Sequence, residues 1–304
     1  MYRFALVTVS SIFNLDLDIS TIDVNPRTSY TNIDWNDKSM WVFAILLWLS
    51  HNVALWGGSA VFEIVYRLGW LKQYRIQPHK SVDEPLLLSA YVKLAAETLL
   101  THIPIFIFIM YPAFRSPFTK AEVFYILLFF ICLLVCSRRY GMEMSPDTIP
   151  TWTTAIWQVV VTVLACDTIF YWSHRLLHHP SIYGYIHKEH HKFKVSSGIA
   201  SEFSHPVEGA INGFATAIGP ILLGMHCSVF CVYLFFRILE TVDAHSGYSL
   251  PFSPFTYLSG ADRHDYHHAH NKGNFGMLHI WDTVCGTDES YLKWRDAEPN
   301  KKSE

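Results

Sequence analysis

The stretch HRLLHHPSIYGYIHKEHH, His174 to His191, places six histidines in eighteen residues. A related run, HDYHH, stands at His264 to His268. His174 and His178 are spaced i, i+4; His187, His190 and His191 are spaced i, i+3, i+4, and His264, His267 and His268 repeat that second pattern. Residues three and four apart share one face of a helix, so each cluster can aim two or three ring nitrogens at one point. Neutral imidazole is the commonest protein ligand for transition metals. Eight such rings exceed the needs of one four-coordinate ion and imply two metal ions. A lone H-x-x-x-H is commonly accidental, and a histidine tract that binds metal adventitiously needs no fixed spacing. Here the H-x-x-H-H spacing recurs about seventy residues on, as a structured site requires.

Outward from the clusters, composition points to a bilayer. The chain has 304 residues, 51% hydrophobic and only 16% charged, where about 25% charged is usual for soluble domains. Mean hydropathy is +0.19. A formal charge of −3 gives no sign of nucleic-acid binding. Six cysteines lie mostly in apolar runs with no C-x-x-C pair, as expected of reduced thiols packed in core or bilayer. The N-terminal run lacks the small-residue cleavage site of a signal peptide.

Trp41 to Val65 is long enough to cross about 30 Å of hydrocarbon, although His51 and Gly57-Gly58 interrupt it. The basic segment after it, with Arg67, Lys72, Arg75, Lys80 and Lys93, is expected on the cytosolic side. Leu94–Pro112, Val123–Cys136 and Thr154–Trp172 are further apolar segments. If the basic loop and the histidines share one side, an even number of these three cross, and one is interfacial or merges with a neighbour. The clusters must also meet, so Gly209 to Phe236 returns to the side it left. That length is short for two full spans, and Gly219-Pro220 is expected to break it into a re-entrant or interfacial hairpin. The expected fold is all-α: a multi-pass membrane helical bundle with a cytosolic helical cap holding a histidine-rich di-metal site. The expected divisions are an irregular segment 1–38, transmembrane helices and loops over 39–153, a catalytic domain over 154–291 and a cytosolic tail over 292–304. The tail ends KKSE; Lys301 and Lys302 resemble the dilysine retrieval signal of endoplasmic-reticulum membrane proteins.

The three clusters in this order resemble the fatty acid hydroxylase/sterol desaturase superfamily of membrane di-iron oxygenases. The resemblance runs from Thr154 to Tyr291 and more weakly over QYRIQPHK, Gln73 to Lys80. Only eight residues separate His178 from His187, fewer than acyl-CoA desaturases generally have. HRLLHHPSIYGYIHKEHHKF, SHPVEG (Ser204–Gly209), VDAHSGYSLPFSP (Val242–Pro254), HDYHHAHNKGNFG (His264–Gly276) and WDTVCGTD (Trp281–Asp288) look like the methylsterol monooxygenase branch. The resemblance implies stepwise oxidation of a sterol C4 methyl group to a carboxylate, using O2 and two electrons per step. It implies as metal ligands His174, His178, His187, His190, His191, His264, His267 and His268, with His245 completing the shell. Some members space the first cluster H-x-x-x-x-H, which would use His179 in place of His178; both are present. No catalytic residue beyond the ligands is singled out.

Inserting oxygen into an aliphatic C–H bond needs an oxidant that side chains cannot supply. Two iron ions fit, although imidazole does not by itself exclude zinc. Asp167, Glu189, Glu208, Asp243, Asp265 and Asp282 are candidates to orient the rings. His205 either lines the site or bonds a loop. Phe170, Tyr171, Trp172, Phe203, Tyr248, Phe252 and Phe255 either line a pocket for a flat apolar ring system or anchor at the interface. No flavin, nicotinamide or haem motif is visible, so electrons are expected from NAD(P)H through a separate cytochrome b5-type donor and its reductase. Lys188, Lys192, Lys194 and Arg263 could dock that partner or meet lipid headgroups. Other enzymes of C4 demethylation are further candidate partners. Three alternatives stand beside this reading. A C5-desaturase or lipid hydroxylase of the same superfamily shares the ligands. A metal transporter would place its ligands within the spans. An inactive sterol-binding relative would not need three complete clusters.

Overall fold

The structure, a computed structural model, describes residues 38–99 and 142–297. The segment Val123–Cys136, most of Leu94–Pro112, and the terminal Lys301 and Lys302 lie outside the described residues. Those described are helical throughout, with one isolated antiparallel bridge between Arg75 and Tyr248.

The first helical run comprises α1 (Lys38–Asn52) and α2 (Gly58–Arg67), joined by a π-helical turn over Val53–Gly57. Gly57-Gly58 therefore modulates the helix without ending it. Gly58 has a packing reason: a Cβ there would come within 3.1 Å of Leu239 Cδ2 and 3.2 Å of Val242 Cγ1. Small residues let helices approach closely where lipid supplies no hydrophobic drive between them. After α2 the chain turns into α3 (Glu84–Glu97), capped by Asp83 accepting from Leu86 N at 3.0 Å.

α4 (Trp152–Leu177) opens on a Thr151 cap and runs 26 residues, about 39 Å at 1.5 Å per residue. That exceeds the hydrocarbon by about two turns, and His174 sits in the last of them. Its exposed residues include Trp152, Ile156, Val160 and Leu164, spaced by four, while Gln158, Thr162, Asp167 and His174 are buried. An apolar outside over a polar inside is the pattern of a helix solvated by lipid. Val42–Arg67 and Trp152–Leu177 are the two described helices long and apolar enough to cross a membrane.

Beyond the short α5 (Pro180–Tyr183), α6 (Pro206–Leu222) and α7 (Cys227–Ala244) form a helical hairpin. Its turn is at Leu223–His226, not at Gly219-Pro220, and this corrects the expected break. Pro220 falls in the last turn of α6, where few backbone bonds remain to be lost. The helix ends on Gly224 at φ +56, with Gly224 N donating to Ile221 O at 3.2 Å and Met225 N to Pro220 O at 2.9 Å. These two bonds make a Schellman stop, and glycine supplies the left-handed residue it needs. Gly219 lies against Thr162, whose Cγ2 would be 2.9 Å from a Cβ, and Gln158 Nε2 donates to Leu223 O at 3.2 Å. The hairpin thus lies along α4, its turn beside the early part of that helix and its open end at the histidines. Its arms of 17 and 18 residues reach about 26 Å, short of the hydrocarbon thickness.

The cap follows: α8 (Pro254–Leu258), α9 (Ala261–His270), α10 (Ile280–Cys285) and α11 (Glu289–Ala297). The basic loop after α2 is stitched onto it. Ile76 N donates to Gly247 O at 3.0 Å, Ser249 N to Tyr74 O at 2.9 Å, and Gln77 Nε2 to Asp265 at 2.7 Å. The loop and the histidines therefore share one end of the molecule. Cys166, Cys227, Cys231 and Cys285 are free thiols.

Candidate metal centre

Nine rings converge in two groups, His174, His178, His187, His191 and His267 in one, and His190, His245, His264 and His268 in the other. Within each group the ligand atoms lie within 4.8 Å of one another. The grouping cuts across the sequence clusters. His187 and His191 serve the first group while His190, between them, serves the second; α9 likewise sends His267 to one and His264 and His268 to the other. The second cluster is not on an α-helix: it runs through turns into a short 3-10 segment, His190–Lys192. In both clusters the i, i+4 pair shares a group (His187 with His191, His264 with His268) and the ring next to it faces the other, since adjacent residues point in different directions on a helix too.

In the five-ring group Nε2–Nε2 separations are 3.0 Å for His174–His187, His178–His187 and His187–His191, and 3.1 Å for His178–His267 and His191–His267. Six ligands about 2.1 Å from one ion at right angles stand about 3.0 Å apart, whereas tetrahedral ligands stand about 3.4 Å apart. The five-ring group has octahedral edges. In the four-ring group the separations are 2.9 Å for His245–His264, 3.2 Å for His264–His268 and 3.3 Å for His190–His245, spanning both geometries.

Six rings have Nδ1 bonded outward. His174 donates to Phe275 O at 2.8 Å, His190 to Phe203 O at 3.3 Å, His245 to Thr241 O at 2.7 Å, His267 to Gly273 O at 2.6 Å and His268 to Phe193 O at 3.1 Å. His187 Nδ1 meets Glu208 Oε1 at 2.9 Å. With the proton on Nδ1, each Nε2 carries a lone pair. Lone pairs about 3 Å apart repel, so these contacts are not hydrogen bonds; a cation between them makes the arrangement favourable. The donor set fits two metal ions.

Burial, reinforced by neighbouring imidazoles, lowers the histidine pKa values: His190 to about 4, His245 to about 3 and His178 to about 2. His187, His191, His264, His267 and His268 shift the same way for the same reasons. The rings are therefore neutral, as ligands must be.

Of the two residues open at the first cluster, His178 joins the five-ring group. His179 does not: it is exposed and caps α5, its Nδ1 accepting from Ser181 N at 3.3 Å. Pro180 fixes the first helical residue, which turns the preceding side chain toward its own helix. His205 plays the same capping part for α6, accepting from Val207 N at 3.2 Å.

Among the acids singled out from sequence, Glu208 alone bonds one of the nine rings directly. Its carboxyl is held well above the usual range by burial and by the Glu189 charge. Asp167 Oδ1 accepts from Met277 N and Leu278 N at 2.8 and 2.9 Å, and Asp282 accepts from Phe275 N and Gly276 N at 2.9 and 2.7 Å. Together they fix the loop whose Phe275 carbonyl holds His174. Glu189 pairs with Lys93 at 2.7 Å, Asp243 accepts from Ser253 and Asp265 from Gln77. Lys194 is tied inward to His268 O and Asn271. Phe170 stands 5.2 Å from the His174 ring, Tyr171 is buried against Trp281, and Phe252 is exposed. The five carbonyls were not legible in sequence, with one indirect exception. Gly273, at φ +55, would place a Cβ 1.8 Å from Thr287 O, so the turn that presents its carbonyl to His267 admits only glycine.

Residues 159–287 match the fatty acid hydroxylase family. Methylsterol monooxygenase 1 of Rattus norvegicus is 31% identical over 284 residues, 88% of this chain and 89% of that protein. Methylsterol monooxygenase 2-2 of Arabidopsis thaliana is 30% identical over 262 residues, 83% of this chain and 88% of that protein. The very-long-chain aldehyde decarbonylase GL1-8 of Oryza sativa subsp. indica is 40% identical, but over 162 residues, so that this chain spans 60% of its length. No solved structure matches. With its membrane helices, its two imidazole groups and relatives aligned nearly end to end, the chain is a membrane oxidoreductase of the fatty acid hydroxylase family.

Proposed function

We propose that this protein is a non-haem di-iron monooxygenase that oxidises the C4 methyl group of 4-methyl and 4,4-dimethyl sterols. The observation that carries the substrate is the alignment with methylsterol monooxygenases over 88% of the chain; VDAHSGYSLPFSP, which resembles that branch, contains the ligand His245. Nine rings would hold the ions, His178 and not His179 among them. Two irons, when bound, supply the O2-activating chemistry that side chains lack. The chain's part is to keep each ring neutral with Nε2 inward, to hold the five-ring group rigidly through Glu208 and the Phe275 and Gly273 carbonyls, and to bury the centre from bulk water. Electrons would come from NAD(P)H through a cytochrome b5-type donor. The basic loop packed on the cap supports a cytosolic active site in the endoplasmic-reticulum membrane.

The test is a sterol profile by mass spectrometry of cells lacking their own C4-methyl oxidase and expressing this chain. Disappearance of 4-methyl and 4,4-dimethyl sterols, reversed by His264→Ala, supports the reading. Persistence of both with a correctly inserted, iron-loaded protein overturns it. A second reading rests on the 40% identity with an aldehyde decarbonylase over half the chain: consumption of very-long-chain aldehydes, with sterols unchanged, would favour it.

A further inference from the structure

His190 is the ring of the four-ring group with the least support from its own backbone. His264 and His268 stand on α9 and His245 closes α7, whereas His190 opens a three-residue 3-10 segment. Its Nδ1 bond to Phe203 O, at 3.3 Å, is the longest of the six outward bonds. Its 3.3 Å approach to His245 is the longest of the close Nε2 contacts. A ring held this loosely by its own segment needs a hold from elsewhere in the fold.

That hold comes from α3. Lys93 Nζ donates to Glu189 Oε1 at 2.7 Å, and Glu189 is the residue before His190. The same Nζ donates to Ser204 O at 2.6 Å, one residue past the carbonyl that receives His190 Nδ1. It also stands 4.9 Å from the centre of the Phe203 ring, which packs edge-on against Phe193 at 5.5 Å. Phe193 in turn supplies the carbonyl for His268. An ammonium has three donors, so it can serve a carboxylate and a carbonyl at once. Lys93 and Glu189 are 25% and 27% exposed, and an ion pair so exposed adds little to stability by itself. Glu97, one turn along α3, lies 3.9 Å from the ammonium, yet the closer partner is Glu189, across the fold.

We propose that Lys93 is a positioning residue of the metal centre, a clamp outside the histidine clusters that sets His190 and with it the four-ring site. This rests on the two-ion reading of the centre. One ammonium grips both segments that fix His190 and bears on the two phenylalanines whose carbonyls hold His190 and His268. The five-ring group draws its support from other places: His174 from Phe275 O, His267 from Gly273 O and His187 from Glu208. Loosening the clamp therefore reaches one site and largely spares the other.

The experiment takes full-length protein purified from membranes and loaded with metal, competes the ions away with a chelator, and counts ions per chain by elemental analysis. Lys93→Met keeps the length of the stem and removes the charge; Lys93→Arg keeps the charge and donors for both oxygens. In Lys93→Met the four-ring ion should leave at about tenfold lower chelator concentration and the five-ring ion within about twofold of wild type, the lower end for loss of a ligand's outer support. In a His264→Ala background, where the five-ring ion remains, Lys93→Met should change nothing. Lys93→Arg should restore most of the difference. Equal weakening of both ions, or weakening that Lys93→Arg does not relieve, makes Lys93 a folding residue and overturns the assignment, as does unchanged release. A wild-type protein that takes up a single ion when metal is in excess removes the two-ion reading and this one with it. No substrate enters the measurement, so the sterol reading stands or falls separately.

Discussion

The five-ring and four-ring groups are built from the same clusters, yet they are not equivalent. The five-ring group has uniform edges of 3.0 to 3.1 Å, centred on His187, whose Nε2 is 3.0 Å from three others. A buried carboxyl, Glu208, stands behind it. The four-ring group has edges from 2.9 to 3.3 Å and, among the described residues, no carboxylate bonded to any of its rings. Five rings would hold an ion in the first group and four in the second. The difference implies that the first group is built to hold its ion more firmly than the second. Phe170 stands 5.2 Å from His174, whose ring is 6.4 Å from His264, where the groups meet.

The largest test of that asymmetry removes one ring from each. His187→Ala and His264→Ala should both abolish turnover while membrane insertion, read by carbonate extraction, stays intact. Their metal contents should differ. His187→Ala leaves four rings and a weakened ion; His264→Ala leaves three and loses its ion outright. Elemental analysis of the two purified variants decides it, and full activity in either contradicts the ligand assignment.

Acid should separate the groups next. An unfolded histidine takes a proton below about 6.5, whereas folded His190 does so only near 4 and His245 only near 3. Between those values the unfolded chain binds more protons, so stability rises with pH through the window and is fully present above about 6.5. It is lost as pH falls toward 3 to 4. Protons also compete for the ligand lone pairs, so metal should leave as pH falls toward 4, from the four-ring group first. Metal content measured along a pH titration checks this; simultaneous loss of both ions would erase the distinction.

Glu208→Gln is the narrower change. It keeps an acceptor near His187 Nδ1 but removes the carboxyl that strengthens the ring as a ligand. Metal affinity of the five-ring group should fall about tenfold, the lower end for such partners, with the four-ring group unaffected. Equal weakening of both sites, in a competition against a chelator, would show Glu208 to be a folding residue.

These contrasts also mark how far the sequence reaches. Ring spacing, long apolar helices and the Glu208 position are carried by side chains and were legible. The partition of rings was not, because i, i+3 and i, i+4 spacings both count as one face, and only the packing of α4, α9 and the His187–His191 segment decides which ring of each triplet joins which group. Nor was the hairpin turn: Pro220 is the stronger breaker on paper, but Gly224 is where the chain can turn left-handed. Five of the six Nδ1 acceptors are carbonyls, which every residue has, so composition cannot reveal them.

The smallest effect belongs to the residue next to a ligand. His178 and His179 are adjacent and identical, yet one ring sits in the five-ring group and the other caps α5 in solvent. The cap accepts a single backbone N–H at 3.3 Å, and losing an N-cap costs about 1 kcal/mol or less when the helix is short and exposed. His179→Ala should therefore keep both metals and turn over within about twofold of wild type, with a small drop in melting temperature. His178→Ala should lose turnover. The pair is a control on the whole assignment, because composition, charge and local sequence are matched and only the direction of the ring differs. If His179→Ala were the inactive one, the first cluster would be read in the H-x-x-x-x-H register. The five-ring group would then have to be rebuilt around a residue that now faces away from it.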